Sequence, residues 1–209
     1  PTPSNVSIFK HTLLPTLYKQ ESYFAKLGLY FSPSSFNTLL KCPLQYYFKY
    51  IANFCAPDED SKDNTTYGNI IHEVLYKAYK PYQGEIIDLQ KMKQIQESCL
   101  TMLLQKNFDK GDTLSALQEI QIQKMLLEME TFFTKECEYI TQNGAFTLIG
   151  LEMKFENFTL HNYVFAGRID RIQQNQDGSI LVIDYKYKKP DKNFEDLALE
   201  IYRQYILQQ

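Results

Sequence analysis

Asp170 and Asp184 each stand in an apolar run near the end of the chain, the first in GRIDRI and the second in ILVIDYKYK, and Lys186 follows the second by two places. Strand side chains alternate between faces, so an extended ILVIDYKYK segment puts Ile180, Val182, Asp184 and Lys186 together, opposite Leu181, Ile183, Tyr185 and Tyr187. A hairpin through QNQDGS, with Asp177-Gly178 as its turn signal, brings Asp170 within reach of Asp184. Two carboxylates at strand ends make an oxygen-rich place for a hard divalent cation, with Mg²⁺ or Mn²⁺ the natural guests. A lysine beside it would orient or help deprotonate a water, or neutralise charge on a transferring phosphoryl group. A salt-bridged cluster at strand ends accounts for the same residue types without any chemistry, so the triplet alone does not choose.

The elements that must position these residues follow from periodicity. Ser32 is a natural N-cap and Pro33 suits the first helical position of SPSSFNTLLK, while Pro43 interrupts that helix or starts a second. APDEDSKDNTT (56–66) is polar and turn-rich and predicts an exposed loop. YGNIIHEVLYKAY predicts a helix that stops at Pro81, and residues 88–140 are mostly helical. Ile122, Met125, Leu126, Met129, Phe133, Cys137 and Ile140 recur at helical spacing there as a core stripe, and QNG ends the run. The period then changes to two. In TLIGLEMKFENF, Ile149, Leu151, Met153 and Phe155 share one face, and Glu152, Lys154 and Glu156 the other. NYVFAGRIDRI and ILVIDYKYK predict two further strands, and FEDLALEIYRQYILQQ a last helix that turns Phe194, Leu197, Ile201 and Tyr205 inward. Helices, three strands and a helix make an α/β sandwich with a small mixed sheet.

Composition narrows the function classes. With 209 residues, 44% of them apolar, the chain can build a sizeable core, and residues 1–30 read as a linker or N-terminal extension. A formal net charge of -3 argues against a binder driven by a global basic field, but not against an enzyme whose acids hold metal. Cys42, Cys55, Cys99 and Cys137 lie far apart without a CxxC pair, so neither a zinc site nor a disulfide framework is indicated and a cytoplasmic location is the default. No stretch approaches a membrane span, and no signal peptide opens the chain. The first residue is not Met and the last ones read as mid-helix, which predicts a piece of something longer.

Four motifs, in order, resemble the PD-(D/E)XK nuclease superfamily, in the branch of RecB- and AddB-like nuclease domains of bacterial helicase–nucleases. SPSSFNTLLKCPLQYYFKY is similar to that branch's serine-led N-terminal helix with Cys-Pro and aromatics, and GNIIHEVL to its G-x-x-x-H-x-x-L helix. GRIDRI resembles the strand of its first metal aspartate, and VIDYKYKK its D-x-K strand. Each is weak alone, but the ordered set spans residues 31–189. The resemblance implies a restriction-endonuclease-like core with a small mixed β-sheet flanked by helices, plus a helical N-terminal portion. The nuclease domain would occupy residues 31–209 and be C-terminally incomplete.

Carried over by position, the resemblance makes His72, Asp170 and Asp184 metal ligands, joined by the backbone carbonyl of Tyr185. Lys186 would position the attacking water, so that Asp170, Asp184 and Lys186 are the catalytic set. Glu152, on the polar face of the preceding strand, is a further acid at or near that site. Gln204 resembles the glutamine of a Q-x-x-x-Y helix that contacts DNA, although Gln208 stands where the tyrosine belongs. Arg168 would touch phosphate or pair with a carboxylate, and Lys188 lies in the basic KYKKP patch suited to a phosphate backbone. Cys42 matches the first cluster cysteine of iron–sulfur relatives, but a cluster would need further cysteines after residue 209; otherwise Cys42 is buried beside Pro43. Tyr46, Tyr47, Phe48 and Tyr50 could stack bases, but core packing of at least half of them is the plainer expectation. The implied activity is Mg²⁺- or Mn²⁺-dependent hydrolysis of DNA, exonucleolytic on single strands or ends, beside a helicase domain or subunit. The rival is a nuclease-fold module that only binds DNA or a partner subunit.

Overall fold

The computed structural model describes residues 30–54, 61–108, 116–161, 163–187 and 197–208. In chain order these form α1 (Pro33–Lys41), α2 (Pro43–Tyr46) with a π-helical turn (Tyr47–Ile51), α3 (Ser61–Tyr79), β1 (Ile86–Ile87), α4 (Leu89–Phe108) and α5 (Ala116–Asn143). The strands β2 (Phe146–Leu160), β3 (Tyr163–Gln174) and β4 (Ile180–Ile183) and the helix α6 (Leu197–Ile206) follow. Lys188 and Cys55 lie outside the described residues, as does Phe194. The chain separates into two compact units, and β2 and β3 contribute residues to both.

One unit comprises Pro57–Met153 and Ile169–Phe194. Its core joins α3, α4 and α5 to the first turns of the sheet. Val74, Leu75 and Tyr79 of α3 meet Met92, Ile95 and Cys99 of α4, Met129 and Phe133 of α5, and Phe146 and Leu148 of β2. The predicted stripe on α5 is thus the buried one. Gly144 ends that helix in a left-handed conformation (φ +85°), its N–H returning to the carbonyl of Ile140 as a helix-terminating glycine does. The helix α3 begins at Ser61, inside the segment whose polarity predicted a loop. Once Ile71, Val74 and Leu75 are anchored in the core, adding polar turns upstream costs little, because propagation is easier than nucleation.

The sheet runs in the order β1-β2-β3-β4. Its ladders between β1 and β2 and between β3 and β4 are antiparallel, the latter pairing Arg171 with Ile183 through to Gln174 with Ile180. The turn before β4 closes as its Asp-Gly predicts: Asp177 accepts hydrogen bonds from the N–H and the hydroxyl of Ser179. The four-stranded sheet is antiparallel where a mixed one was expected; one isolated bridge, Phe31 to Phe165, is parallel, and Phe31 lies outside the four strands.

Strict alternation fails in β2. Phe146 and Leu148 are buried while Ile149 is 42% exposed, the reverse of the expected phase, yet Leu151 and Phe155 face inward as expected. The phase slips at Gly150 and Leu151, both buried, next to Glu152, whose φ of +50° places a non-glycine residue in the left-handed region in the middle of a strand. A residue so placed interrupts the pleat in the manner of a bulge and redirects its side chain.

The other unit comprises Pro1–Ala56, Lys154–Arg168 and Glu195–Gln209. Ser32 caps α1 by accepting from the N–H of Ser35, with Pro33 in the first turn as predicted. Phe31, Phe36, Tyr163 and Phe165 form an aromatic cluster. Cys42 is half-buried rather than buried: its Sγ accepts from the N–H of Gln45, which makes it the N-cap of α2. Of the aromatic run only Tyr46 is buried, while Tyr47, Phe48 and Tyr50 are exposed. The π-helical turn at Tyr47–Ile51 departs from the helical periodicity on which an inward-facing stripe would depend.

Gly167, the first residue of GRID, has a packing reason to be glycine. A Cβ there would stand 2.7 Å from Cζ of Phe155. That ring is stacked on Tyr205 at 4.8 Å and flanked by Phe158 and Tyr202, so it has little room to yield. Gly167→Ala is expected to lower stability by about 1–3 kcal/mol, the range for overpacking, and Phe155→Leu in the same chain to recover part of it. Urea unfolding of the single and double variants checks both; additive losses would mean that the ring is not the obstacle.

Candidate metal centre

His72, Glu152 and Asp170 arrive from three different elements of one unit. On α3 the buried stripe is Ile71, Val74, Leu75 and Ala78, and His72 sits at its edge with a side chain 30% exposed. On β3 the residues Ile169 to Gln173 are all buried, so Asp170 is a carboxylate enclosed to 7% exposure. On β2 the left-handed backbone of Glu152 aims the third group. One donor atom from each of the three lies within 4.8 Å of the others.

The polar contacts of Asp170 define the geometry further. Its Oδ2 accepts the backbone N–H of Tyr185 at 2.7 Å and lies 3.5 Å from Nδ1 of His72. This explains why β4 stops at Ile183 rather than running on to Lys188. The N–H that would have extended the strand is spent on a side chain instead. The register of the last pair, Arg171 with Ile183, places Asp184 across from Asp170 one step further on. Asp184 stands outside the three-donor group; its side chain, 5% exposed, is ion-paired with Lys186, which is 45% exposed. Aromatic contact closes the far side, with the Tyr185 ring edge-on to His72 at 5.9 Å.

The electrostatics of the site favour a cation. The hydrogen bond with Asp170 raises His72 above its ordinary value, aided by the charges of Asp170 and Glu152 and the backbone carbonyl of Tyr185, against the lowering effect of burial. A proton on the imidazole therefore serves the two carboxylates when no metal does. One imidazole and two carboxylates suit Mn²⁺ or Mg²⁺ better than a soft ion. The residues present fit a divalent cation, and the Tyr185 carbonyl beside His72 is a further oxygen at the same place.

The sign of the pH dependence follows. In metal-free protein the His72 contribution to stability is full below its unfolded pKa near 6.5 and is lost as pH rises through the raised folded value. Metal needs the neutral ring, so Mn²⁺ affinity is expected to fall as pH drops below that raised value, by up to about tenfold per unit. Calorimetric titration between pH 6 and 8 checks this, and a His72→Gln variant should lose the dependence along with most of the affinity.

Arg168 is exposed at the end of the β3 stretch belonging to the other unit. Gln204 lies on α6, also in that unit, where its amide donates to Glu200 one turn back on the same helix. Sequence reasoning missed Arg171, which is 1% exposed and carries the only full positive charge buried among the described residues. A second arginine in the GRIDRI run, directly after a candidate ligand, was the available signal. It donates to Tyr79 and Glu136, and burial raises the Tyr79 and Tyr185 hydroxyls so that both stay neutral beside it.

A sheet edged by helices, with an enclosed aspartate on one strand and an aspartate-lysine pair after the next, defines a class. The chain belongs to the PD-(D/E)XK nuclease superfamily, whose family model matches residues 30–209. It is also similar to an ATP-dependent helicase/deoxyribonuclease subunit of Streptococcus pyogenes. With that of one strain it shares 26% identity over 146 residues, covering 68% of this chain and 12% of the relative. With that of a second it shares 24% over 166 residues, covering 77% of this chain and 14% of the relative. The chain thus spans about an eighth of the length of these relatives. Among the described residues, no helix is long and apolar enough to cross a membrane.

Proposed function

We propose that this chain is the metal-dependent deoxyribonuclease portion of a larger helicase–nuclease acting in DNA repair and recombination in the cytoplasm. The observation that carries the reading is the meeting of His72, Glu152 and Asp170 within 4.8 Å, in a chain of a nuclease superfamily. These three, with Asp184 and the Tyr185 carbonyl, would hold Mg²⁺ or Mn²⁺. Bound metal supplies Lewis acidity at a phosphoryl oxygen and lowers the pKa of coordinated water. Lys186, paired with Asp184 and reaching solvent, orients the attacking water and offsets charge developing on the phosphate. His72 would act as a ligand in its neutral form, giving up its proton as metal binds, and the enclosure of Asp170 keeps its carboxylate fixed. Arg168, Lys188 and Gln204 supply contacts to a DNA strand. The names of the relatives support DNA as substrate and a helicase domain or subunit as partner, and exonucleolytic action on single strands or ends suits a nuclease fed by a motor.

The test pairs two measurements. Mn²⁺ is titrated calorimetrically into the protein, and release of nucleotides from end-labelled single-stranded DNA is followed with and without Mg²⁺. Saturable binding with metal-stimulated cleavage supports the reading. Binding of DNA without cleavage under saturating metal would instead favour a module that only binds DNA.

A further inference from the structure

We infer that Arg171 is a positioning residue that sets the spacing of the metal ligands, an inference that rests on the metal-site reading above. Adjacent strand residues point to opposite faces, so Arg171 lies behind Asp170 rather than beside it. Its guanidinium makes a fork. One nitrogen donates to the Tyr79 hydroxyl at 2.7 Å and the other to Glu136 at 2.9 Å, while Tyr79 in turn donates to Glu136 at 3.4 Å. The rings of Tyr79, Phe146 and Tyr185 surround the same group, with centroids 4.9, 5.6 and 5.8 Å from the guanidinium carbon.

Apart from Glu136, each of these contacts belongs to an element that delivers part of the site. Tyr79 follows His72 on α3 by seven residues, two helical turns, and so lies along nearly the same side of that helix. Phe146 opens β2, which carries Glu152. Tyr185 joins Asp184 to Lys186, and its N–H is held by Asp170. Glu136, from α5, supplies the counter-charge that lets an arginine stay buried there. One planar cation therefore ties together α3, β2, β3 and the segment after β4, and the fixed geometry of the fork does what a lysine's single flexible ammonium does not. Groups that orient ligands from behind commonly change metal affinity by about 10–100-fold when removed.

A merely structural ion pair would lower stability and leave the site alone, so the test separates the two. Tyr79→Phe keeps the Arg171–Glu136 pair and removes only the hydroxyl that links α3 to the fork. Arg171→Lys keeps the charge and loses the fork. In the full chain, Mn²⁺ binding is read by electron paramagnetic resonance well below each melting temperature, and kcat and KM for a labelled single strand are measured separately. Ile95→Val, a buried change on α4 that leaves the guanidinium, the Tyr79 hydroxyl and the Glu136 carboxylate in place, is the control for stability alone. The expected result is Mn²⁺ affinity weakened by about 10–100-fold in Tyr79→Phe and Arg171→Lys, kcat reduced with KM little changed, and normal affinity in Ile95→Val. Parent-like Mn²⁺ affinity in both Tyr79→Phe and Arg171→Lys would overturn the positioning role while leaving the metal site standing. Absence of Mn²⁺ binding in the parent would overturn the metal reading, and this inference with it.

Discussion

Asp170→Asn is expected to leave a folded protein that no longer binds Mn²⁺ measurably and cleaves DNA at least about 10³-fold more slowly. The carboxamide has nearly the shape of the carboxylate, and its oxygen can still accept the Tyr185 N–H that Asp170 accepts at 2.7 Å. What disappears is the charge, at a position with 7% exposure where water does little to replace it. Two readouts follow besides activity. Calorimetry should show the loss of metal binding, and the His72 imidazole, no longer held by Asp170, should titrate lower by NMR. Asp170→Ala is the harsher change, because it leaves the Tyr185 N–H without its acceptor, a loss of about 1–3 kcal/mol for a buried donor. Asparagine that binds Mn²⁺ as tightly as aspartate would remove Asp170 from the ligand set.

Lys186→Met separates metal binding from chemistry. Methionine keeps much of the aliphatic stem while removing the ammonium that pairs with Asp184, whose side chain is 5% exposed. A carboxylate left without its counter-charge attracts a cation more strongly, so Mn²⁺ affinity should be retained or rise. Cleavage should nonetheless fall by about 10²–10⁴-fold, the usual contribution of a group that handles the proton or charge of the attacking water. The contrast with Asp170→Asn is the informative part: one variant loses metal and cleavage together, the other cleavage alone. Parallel loss of Mn²⁺ binding in Lys186→Met would reassign the lysine to organising Asp184, and near-parental cleavage would remove it from the mechanism.

Parts of this organisation were legible because they depend on neighbours in sequence. Ser32 and Pro33 start α1 through a hydroxyl and a fixed φ; Asp177 and Gly178 close the turn before β4; Met125, Met129 and Phe133 bury one side of α5. What failed was continuity. Alternation carried through the stretch from Gly150 to Glu152 gave Ile149 the wrong face, and alternation carried past Ile183 gave β4 too many residues. In both places a polar group at the candidate site interrupts the regular backbone: Glu152 by its left-handed φ, and Asp170 by taking the N–H of Tyr185. Periodicity describes a strand only while the backbone hydrogen-bonds to its neighbours, and a side chain that competes for those groups ends it.

By itself the sequence determined the residue types and their order: a histidine in an amphipathic helix, an aspartate in an apolar strand, an aspartate and a lysine two apart after a turn. Those are properties of short segments, set by local propensity and the alternation of polar and apolar residues. Tertiary structure alone decided that Glu152 joins His72 and Asp170 within 4.8 Å, that Asp184 pairs with Lys186, and that Arg171 stands buried behind them on Tyr79 and Glu136. Apart from the Asp184–Lys186 pair, two residues apart, those contacts join positions separated by tens of residues along the chain. They exist only once the core of α3, α4, α5 and β2 has closed, because a charge is held away from water only where packing has already placed its partner.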